Sequence, residues 1–226
     1  MLHAIFDLDG TLVDSMAVCT DIMNAMLVDR GSTLLLTPDV ARPHISIGGS
    51  NMIASCLGEF CEDPHAGIAE FRARYIDMPT PETSIFAGVR EGLQRLSDSG
   101  YSMSICSNKP QNLCEKILAE LRLEQFFGTV VGGRPGIPAK PSPDLLDLTL
   151  RLSGHSAEDS CFVGDSEPDH LAARALGIPF ILVSYGYGEL EGPCDDVARC
   201  GSFWSVPDNI DSILNVSGLP RRAAAR

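Results

Sequence analysis

The chain is poor in positive charge. Lys and Arg total 17 against 30 Asp and Glu in 226 residues, giving a formal net charge of −13 and a pI near 4.7. Such a surface repels phosphate backbones and anionic headgroups, so neither nucleic acid nor a membrane is an expected partner. A negatively charged substrate would need local cations to hold it against that field. No run of 18 apolar residues occurs, and no basic segment leads into an uninterrupted apolar stretch, so a cytoplasmic protein is expected. The eight cysteines (Cys19, Cys56, Cys61, Cys106, Cys114, Cys161, Cys194, Cys200) form no CxxC pair and have no histidines at zinc spacing. Cys106 and Cys161 stand inside apolar runs, where cysteine packs as a small core residue. Reduced packing thiols are therefore expected, rather than disulfides or a metal cluster.

What is present is a change of grammar along the chain. After a short apolar run, His3-Ala4-Ile5-Phe6, apolar residues recur at three- and four-residue spacing. Met16, Cys19, Met23, Met26 and Leu27 lead to Gly31; Met52, Ile53, Cys56, Leu57 and Phe60 follow, then Ile68, Phe71, Tyr75 and Met78. These stripes predict core-packing helices and no strand before the Pro-rich hinge "MPTPET" (78–83). Strand and helix then alternate. The expected strands are "YSMSIC" (101–106), "TVVG" (129–132), "SCFVG" (160–164), "PFILVS" (179–184) and an edge strand "SFWSV" (202–206). Helices are expected before Gly100, from Pro110, from Ser142 as N-cap with Pro143 at the first helical position, from Pro168 and from Pro207. The alternation implies an α/β fold, a doubly wound parallel sheet with helices on both faces. The expected domains are a core of residues 1–14 and 82–226 and a small all-helical cap of residues 15–81, inserted over the carboxyl end of the first strand. Ligands in such sheets bind beyond the carboxyl ends of the strands.

Polar residues that a core would not tolerate cluster at those ends. The first strand ends in Asp7, Asp9, Gly10 and Thr11; the second in Ser107, Asn108 and Lys109. Lys140 stands in "AKPSPD", and "SCFV" runs into Gly164, Asp165, Ser166, Glu167, Pro168 and Asp169. Asp7, Asp9 and Asp165 concentrate oxygen ligands of the kind Mg²⁺ takes. Ser107 offers a hydroxyl and Lys140 a positive charge for phosphoryl oxygens. Asp7 can act as nucleophile while Asp9, on the same turn, handles protons. The "KPSP" context selects Lys140 and leaves Lys109 facing solvent.

In order along the chain, "DLDGTLVDS", "CSNKP", "KPSP" and "GDSEPDHLAARALGI" resemble the four motifs of the haloacid dehalogenase-like hydrolases, in their phosphoglycolate phosphatase-like branch. The resemblance covers nearly the whole chain and implies a Rossmann-like core, Mg²⁺ as cofactor and hydrolysis of a small phosphate monoester. It implies an aspartyl-phosphate on Asp7 and acid/base work by Asp9. The metal would be held by the Asp7 side chain, the Asp9 main-chain carbonyl and Asp165. Thr11, Ser107, the amide of Asn108 and Lys140 would hold the phosphoryl group, with Asp169 orienting the metal shell or Lys140. Arg42 and His44, beside "SIGGSN" (46–51), are the expected specificity contacts in a loop of a mobile cap. The partner is a small phosphorylated metabolite, and the protein a monomer or homodimer. Two alternatives stand beside this reading: a phosphomutase of the same fold, which usually carries Val where this chain has Thr11, and a catalytically idle binding protein. Residues 15–81 contain no lysine, which excludes imine chemistry from the cap.

Overall fold

Each of the five apolar runs that precede the expected edge strand is a strand in the computed structural model, which describes residues 1–45, 49–191 and 197–216. They are β1 His3–Phe6, β2 Ser102–Pro110, β3 Thr129–Gly133, β4 Ser160–Gly164 and β5 Phe180–Val183. A short β6, Ala198–Cys200, completes a six-stranded parallel sheet in the order β3-β2-β1-β4-β5-β6. The expected edge strand "SFWSV" is a correction: Phe203–Ser205 is a 3-10 turn leading into a helix. Its burial explains why, since Phe203 and Val206 are fully buried while Trp204 is exposed, a helical spacing rather than an alternation.

Nine α-helices occur among the described residues. α1 Met16–Asp29, α2 Pro38–Ile45, α3 Gly49–Leu57 and α4 Pro64–Asp77 precede the second strand, as does α5 Val89–Asp98. α6 Gln111–Glu120, α7 Asp144–Ser153, α8 Glu167–Ala175 and α9 Val206–Val216 follow. α7 begins at Asp144 with Pro143 before it, so Ser142 is not the N-cap; its hydroxyl bonds the Asp144 carboxylate instead. Likewise α6 begins at Gln111, because Pro110 still pairs with Gly133 at the end of β2.

Alternation along β1 sends its side chains to both faces. Ile5 packs with Phe162 and Phe180 against Leu145, Leu146 and Leu150 of α7 and Ala172 and Ala173 of α8. Phe6 turns to the other face, 6.0 Å from the ring of Phe203. There Gly92 of α5 lies so close that a Cβ would come within 2.6 Å of the Phe203 ring. The sheet is thus covered on both faces. Its parallel register sets β1 between β2 and β4, with Phe6 opposite both Ile105 and Val163. The residues that follow these partners, Asp7, Cys106 and Gly164, are therefore neighbours.

The chain divides into two compact units, Met1–Val13 with Ile85–Arg226, and Asp14–Ser84. The sequence-based boundaries after residues 14 and 81 differ from these by one and three residues. The crossing points adjoin, since Val13 and Ile85 form an antiparallel bridge and the Phe86 amide donates to the Leu12 carbonyl at 3.1 Å. The helical unit has its own core, with Met23, Met26, Ile53 and Tyr75 essentially inaccessible. A half-exposed ion-pair chain joins α1 to α4, in which Arg30 and Arg74 share Glu70 at 2.5 and 2.6 Å and Arg74 also meets Asp29 at 2.6 Å. Arg42 and His44 are not loop residues as expected. They occupy the last turn of α2, where positive charge complements the partial negative charge of a helix C-terminus. Residues 46–48 of "SIGGSN", Cys194, Gly192 and the tail "PRRAAAR" lie outside the described residues.

Candidate active site

A buried strand has no room for charge, so the place where β1 stops is marked by Asp7. Its amide still belongs to the sheet, donating to the Val163 carbonyl at 2.9 Å. The chain then turns sharply, with the Leu8 carbonyl accepting from Leu12 and Val13 at 2.9 and 3.0 Å. Gly10 makes the turn possible. It has φ of +77°, and a Cβ there would stand 2.3 Å from an Asp165 oxygen.

Asp7 is 8 % exposed and faces Lys140, itself 5 % exposed. The ammonium is 3.1 Å from Asp7 Oδ1 and 2.6 Å from Asp169 Oδ1, and it donates to the Cys106 carbonyl at 2.8 Å. Burial raises the Asp7 pKa to about 6; Lys140 opposes the shift, Asp169 adds to it, and Ser107 and the Leu8 amide oppose it. For Lys140, burial alone would lower the pKa, but Asp169 and Asp7 outweigh it and hold the ammonium charged. Its peptide is fixed as firmly as its head. Asn108 Nδ2 donates to the Lys140 carbonyl at 2.9 Å, and the Lys140 amide donates to Asn108 Oδ1 at 2.8 Å. The Asn108 side chain, whose amide alone was assigned a role from the sequence, thus acts as a clamp on Lys140.

Asp169 divides its two oxygens. Oδ2 caps α8, accepting from the Ser166 amide at 3.2 Å and its hydroxyl at 2.6 Å, while Oδ1 meets Lys140. One side chain thus serves both the cap of α8 and the site. Gly164 lets it approach, because a Cβ there would lie 2.7 Å from the Asp169 side chain.

Asp165, 3 % exposed, is backed by a loop whose role the sequence did not disclose. The amides of Tyr187 and Gly188 donate to its Oδ2 at 2.7 and 3.4 Å, and Thr11 Oγ1 donates to its Oδ1 at 3.4 Å. Gly186 is required there, since a Cβ would stand 2.3 Å from Asp165 Cβ. The Tyr185 hydroxyl ties the loop to the first turn by donating to the Thr11 carbonyl at 2.7 Å. Thr11 is wholly buried with its hydroxyl on Asp165, so that group faces a carboxylate rather than solvent. Burial first, then Asp169 and Asp7, raise the Asp165 pKa to about 8, with the two loop amides opposing.

Oxygens of Asp7, Asp165 and Asp169 lie within 4.8 Å of one another, and one ammonium answers three carboxylates. The local charge is therefore incompletely balanced by protein groups. Because Asp169 is committed to Lys140 and α8, Asp7 and Asp165 are the two carboxylates left for a cation. A pair of hard oxygen donors just beyond β1 and β4 fits Mg²⁺, which takes few carboxylates.

Asp9 points elsewhere. Its side chain is 26 % exposed and both oxygens meet Lys109 Nζ, at 3.0 and 3.3 Å. The Lys109 side chain is only 8 % exposed, which corrects the expectation that it faces solvent. The physical reason is the irregular last part of β2, where the register shifts between Cys106 and Pro110: the Lys109 amide donates to Ser107 Oγ at 3.3 Å and Cys114 Sγ donates to its carbonyl at 3.3 Å. Asp7, Asp9, Thr11, Ser107, Asn108, Lys140, Asp165 and Asp169 all belong to the sheet unit, whereas Arg42 and His44 belong to the helical unit.

A model of the haloacid dehalogenase-like hydrolase family matches residues 4–183. Among curated relatives, a phosphoglycolate phosphatase of Xanthomonas campestris pv. campestris (strain 8004) is 35 % identical over 184 residues, covering 81 % of this chain and 83 % of the relative. A plasmid-borne phosphoglycolate phosphatase of Cupriavidus necator is 36 % identical over 193 residues, covering 84 % and 83 %. One from Rhodospirillum rubrum is 31 % identical over 231 residues, covering 98 % and 93 %. The fold is similar to that of a solved structure described as a predicted phosphoglycolate phosphatase from Haemophilus somnus 129pt, with a TM-score of 0.78 at 23 % identity, covering 92 % of this chain and 97 % of that one.

Proposed function

Because the chain belongs to the haloacid dehalogenase-like hydrolases, we propose that it is a Mg²⁺-dependent phosphatase that hydrolyses a small phosphate monoester through an aspartyl-phosphate on Asp7. Phosphoric monoester hydrolysis is the activity named for its relatives. The observation that carries the mechanism is the buried Asp7–Lys140–Asp169 triad, 3.1 and 2.6 Å across the ammonium. A carboxylate held this way has a fixed direction of attack and a neighbouring cation for the charge gathering on phosphoryl oxygens.

In the first step an Asp7 oxygen bonds to phosphorus as the bond to the leaving oxygen breaks, and Asp9 gives that oxygen a proton. In the second, water attacks the phosphorus of the aspartyl-phosphate and gives its proton to Asp9, while Asp7 leaves as carboxylate. Lys140 neutralises charge in both steps, and Ser107 with the Asn108 amide orients the phosphoryl group. Asp7, Asp165 and the Asp9 main-chain carbonyl would hold Mg²⁺, which would supply charge neutralisation and alignment. The substrate is phosphoglycolate-like or a sugar phosphate. The helical unit reads its leaving group, with Arg42 and His44 as the polar contacts.

Asp7→Asn tests this directly. The amide cannot form the acyl-phosphate, so turnover should fall below about one per cent while the fold persists. Acid quench during turnover of a ³²P-labelled ester should trap a hydroxylamine-labile phosphate on the Asp7 peptide, and ¹⁸O from solvent water should enter only the released phosphate, since water attacks phosphorus. Activity retained in the variant, or no phosphate trapped on the Asp7 peptide, overturns the nucleophile assignment.

A further inference from the structure

The two aspartates of the first turn have separate cations. Lys140 serves Asp7 from the loop after β3, while Lys109 serves Asp9 from the end of β2. The Lys109–Asp9 contact has features an incidental surface pair lacks. The lysine is nearly buried, and one ammonium lies near both carboxylate oxygens, at 3.0 and 3.3 Å, which limits rotation of that carboxylate about its terminal bond. Lysine also loses much rotamer entropy on burial, and exposed pairs seldom recover it. Here the backbone holds the lysine in place. Its amide is on Ser107 Oγ, its carbonyl on Cys114 Sγ, and Gly132 packs so tightly that a Cβ there would come within 2.8 Å of the Lys109 carbonyl.

One irregular stretch of β2 thus sets both halves of the site. Asn108 grips the peptide of Lys140, and Lys109, the next residue, grips Asp9. We propose that Lys109 is a positioning residue whose ammonium orients the Asp9 carboxylate for proton transfer to and from the reacting oxygens. The inference rests on the reading of Asp9 as acid and base. Asp9 is the most exposed carboxylate of the constellation, so without Lys109 its side chain is free to turn toward water. Proton transfer needs donor and acceptor at hydrogen-bond distance in a defined direction, so a wandering carboxylate loses rate even when its chemistry is intact.

A leaving-group comparison separates this role from a structural one or from phosphate binding. For kcat/KM, which reports events through phosphoenzyme formation, an alkyl phosphate needs a proton from Asp9 as the bond breaks, while 4-nitrophenyl phosphate leaves as a stable anion. In Lys109→Met the fall in kcat/KM for the alkyl ester should exceed the fall for the aryl ester by roughly tenfold or more. Lys109→Arg, which can still meet both oxygens, should recover most of the difference. Lys109→Gln keeps a donor without the charge and repeats the test should the Met variant not fold. Equal losses for both esters in a folded variant overturn the proposal and make Lys109 a phosphate-binding or structural residue. Absence of hydrolysis by the unmodified protein on either ester would instead overturn the phosphatase reading itself, so the two failures are distinguishable.

Discussion

At the scale of single residues the fold tolerates buried polarity only where geometry answers it. His3 is wholly buried at the opposite end of β1 from Asp7, its ring nitrogens 3.0 Å from Ser160 Oγ and 2.8 Å from Ser104 Oγ, its face stacked on His155 at 4.4 Å. Burial, with the His155 charge second, pushes its pKa from 6.5 down to about 3. Between these values the unfolded chain binds a proton that the native ring refuses, so stability rises with pH across that window. The contribution is complete above 6.5 and is lost as pH falls toward 3, at about 1.4 kcal/mol per pH unit. Denaturant unfolding at pH 7 and pH 5 should show the native protein losing about 2 kcal/mol more than His3→Gln, which keeps a donor and an acceptor without the titration. Equal losses would mean the ring is not held neutral.

At the scale of elements, the strand ends were legible because a buried apolar run that stops at a carboxylate or lysine has few structural explanations. That reasoning reached Asp7, Asp165, Ser107 and Lys140, and the structure gathers them. It did not reach Lys109, because choosing between two lysines requires knowing that the end of β2 turns Lys109 toward Asp9. Nor could it assign the loop of Tyr185–Gly188, whose contact with Asp165 is made by the main-chain amides of Tyr187 and Gly188 and not by a side chain. α2 escaped notice for another reason: it carries Pro43 in its interior and buries only Ala41 and Ile45, too little periodicity to read. The β2–α6 turn yields a prediction at this scale. Asn108→Ala removes two hydrogen bonds from the Lys140 peptide, at about 1 kcal/mol each in stability. Its larger effect should be on kcat, lowered roughly tenfold to hundredfold as the ammonium loses its fixed place. Thermal unfolding measured beside steady-state kinetics checks both, and an unaltered kcat would remove the clamp from the account.

At the scale of the whole molecule, two compact units share one chain, and no helix among the described residues is long and apolar enough to cross a membrane. A cation bound by the folded state alone stabilises all of it. Mg²⁺ at a hundred times its dissociation constant should therefore add about 2.7 kcal/mol, read as a rise in the thermal midpoint that needs no substrate. Asp165→Asn should lose that increment; a variant that keeps it would place the cation elsewhere. The order of strands carries one more consequence, for the making of the protein. β1 lies in the middle of the sheet yet is made before the other strands of that sheet, and its ladder partners begin at Ser102 and Ser160. At roughly 5–20 residues per second, the strand bearing Asp7 waits seconds for its first neighbour and longer for its second. The helical unit, which lies wholly within residues 14–84, is synthesised in the interval. The nascent chain thus carries the whole helical unit while the buried central strand is still unpaired, and that interval is when aggregation has its opening.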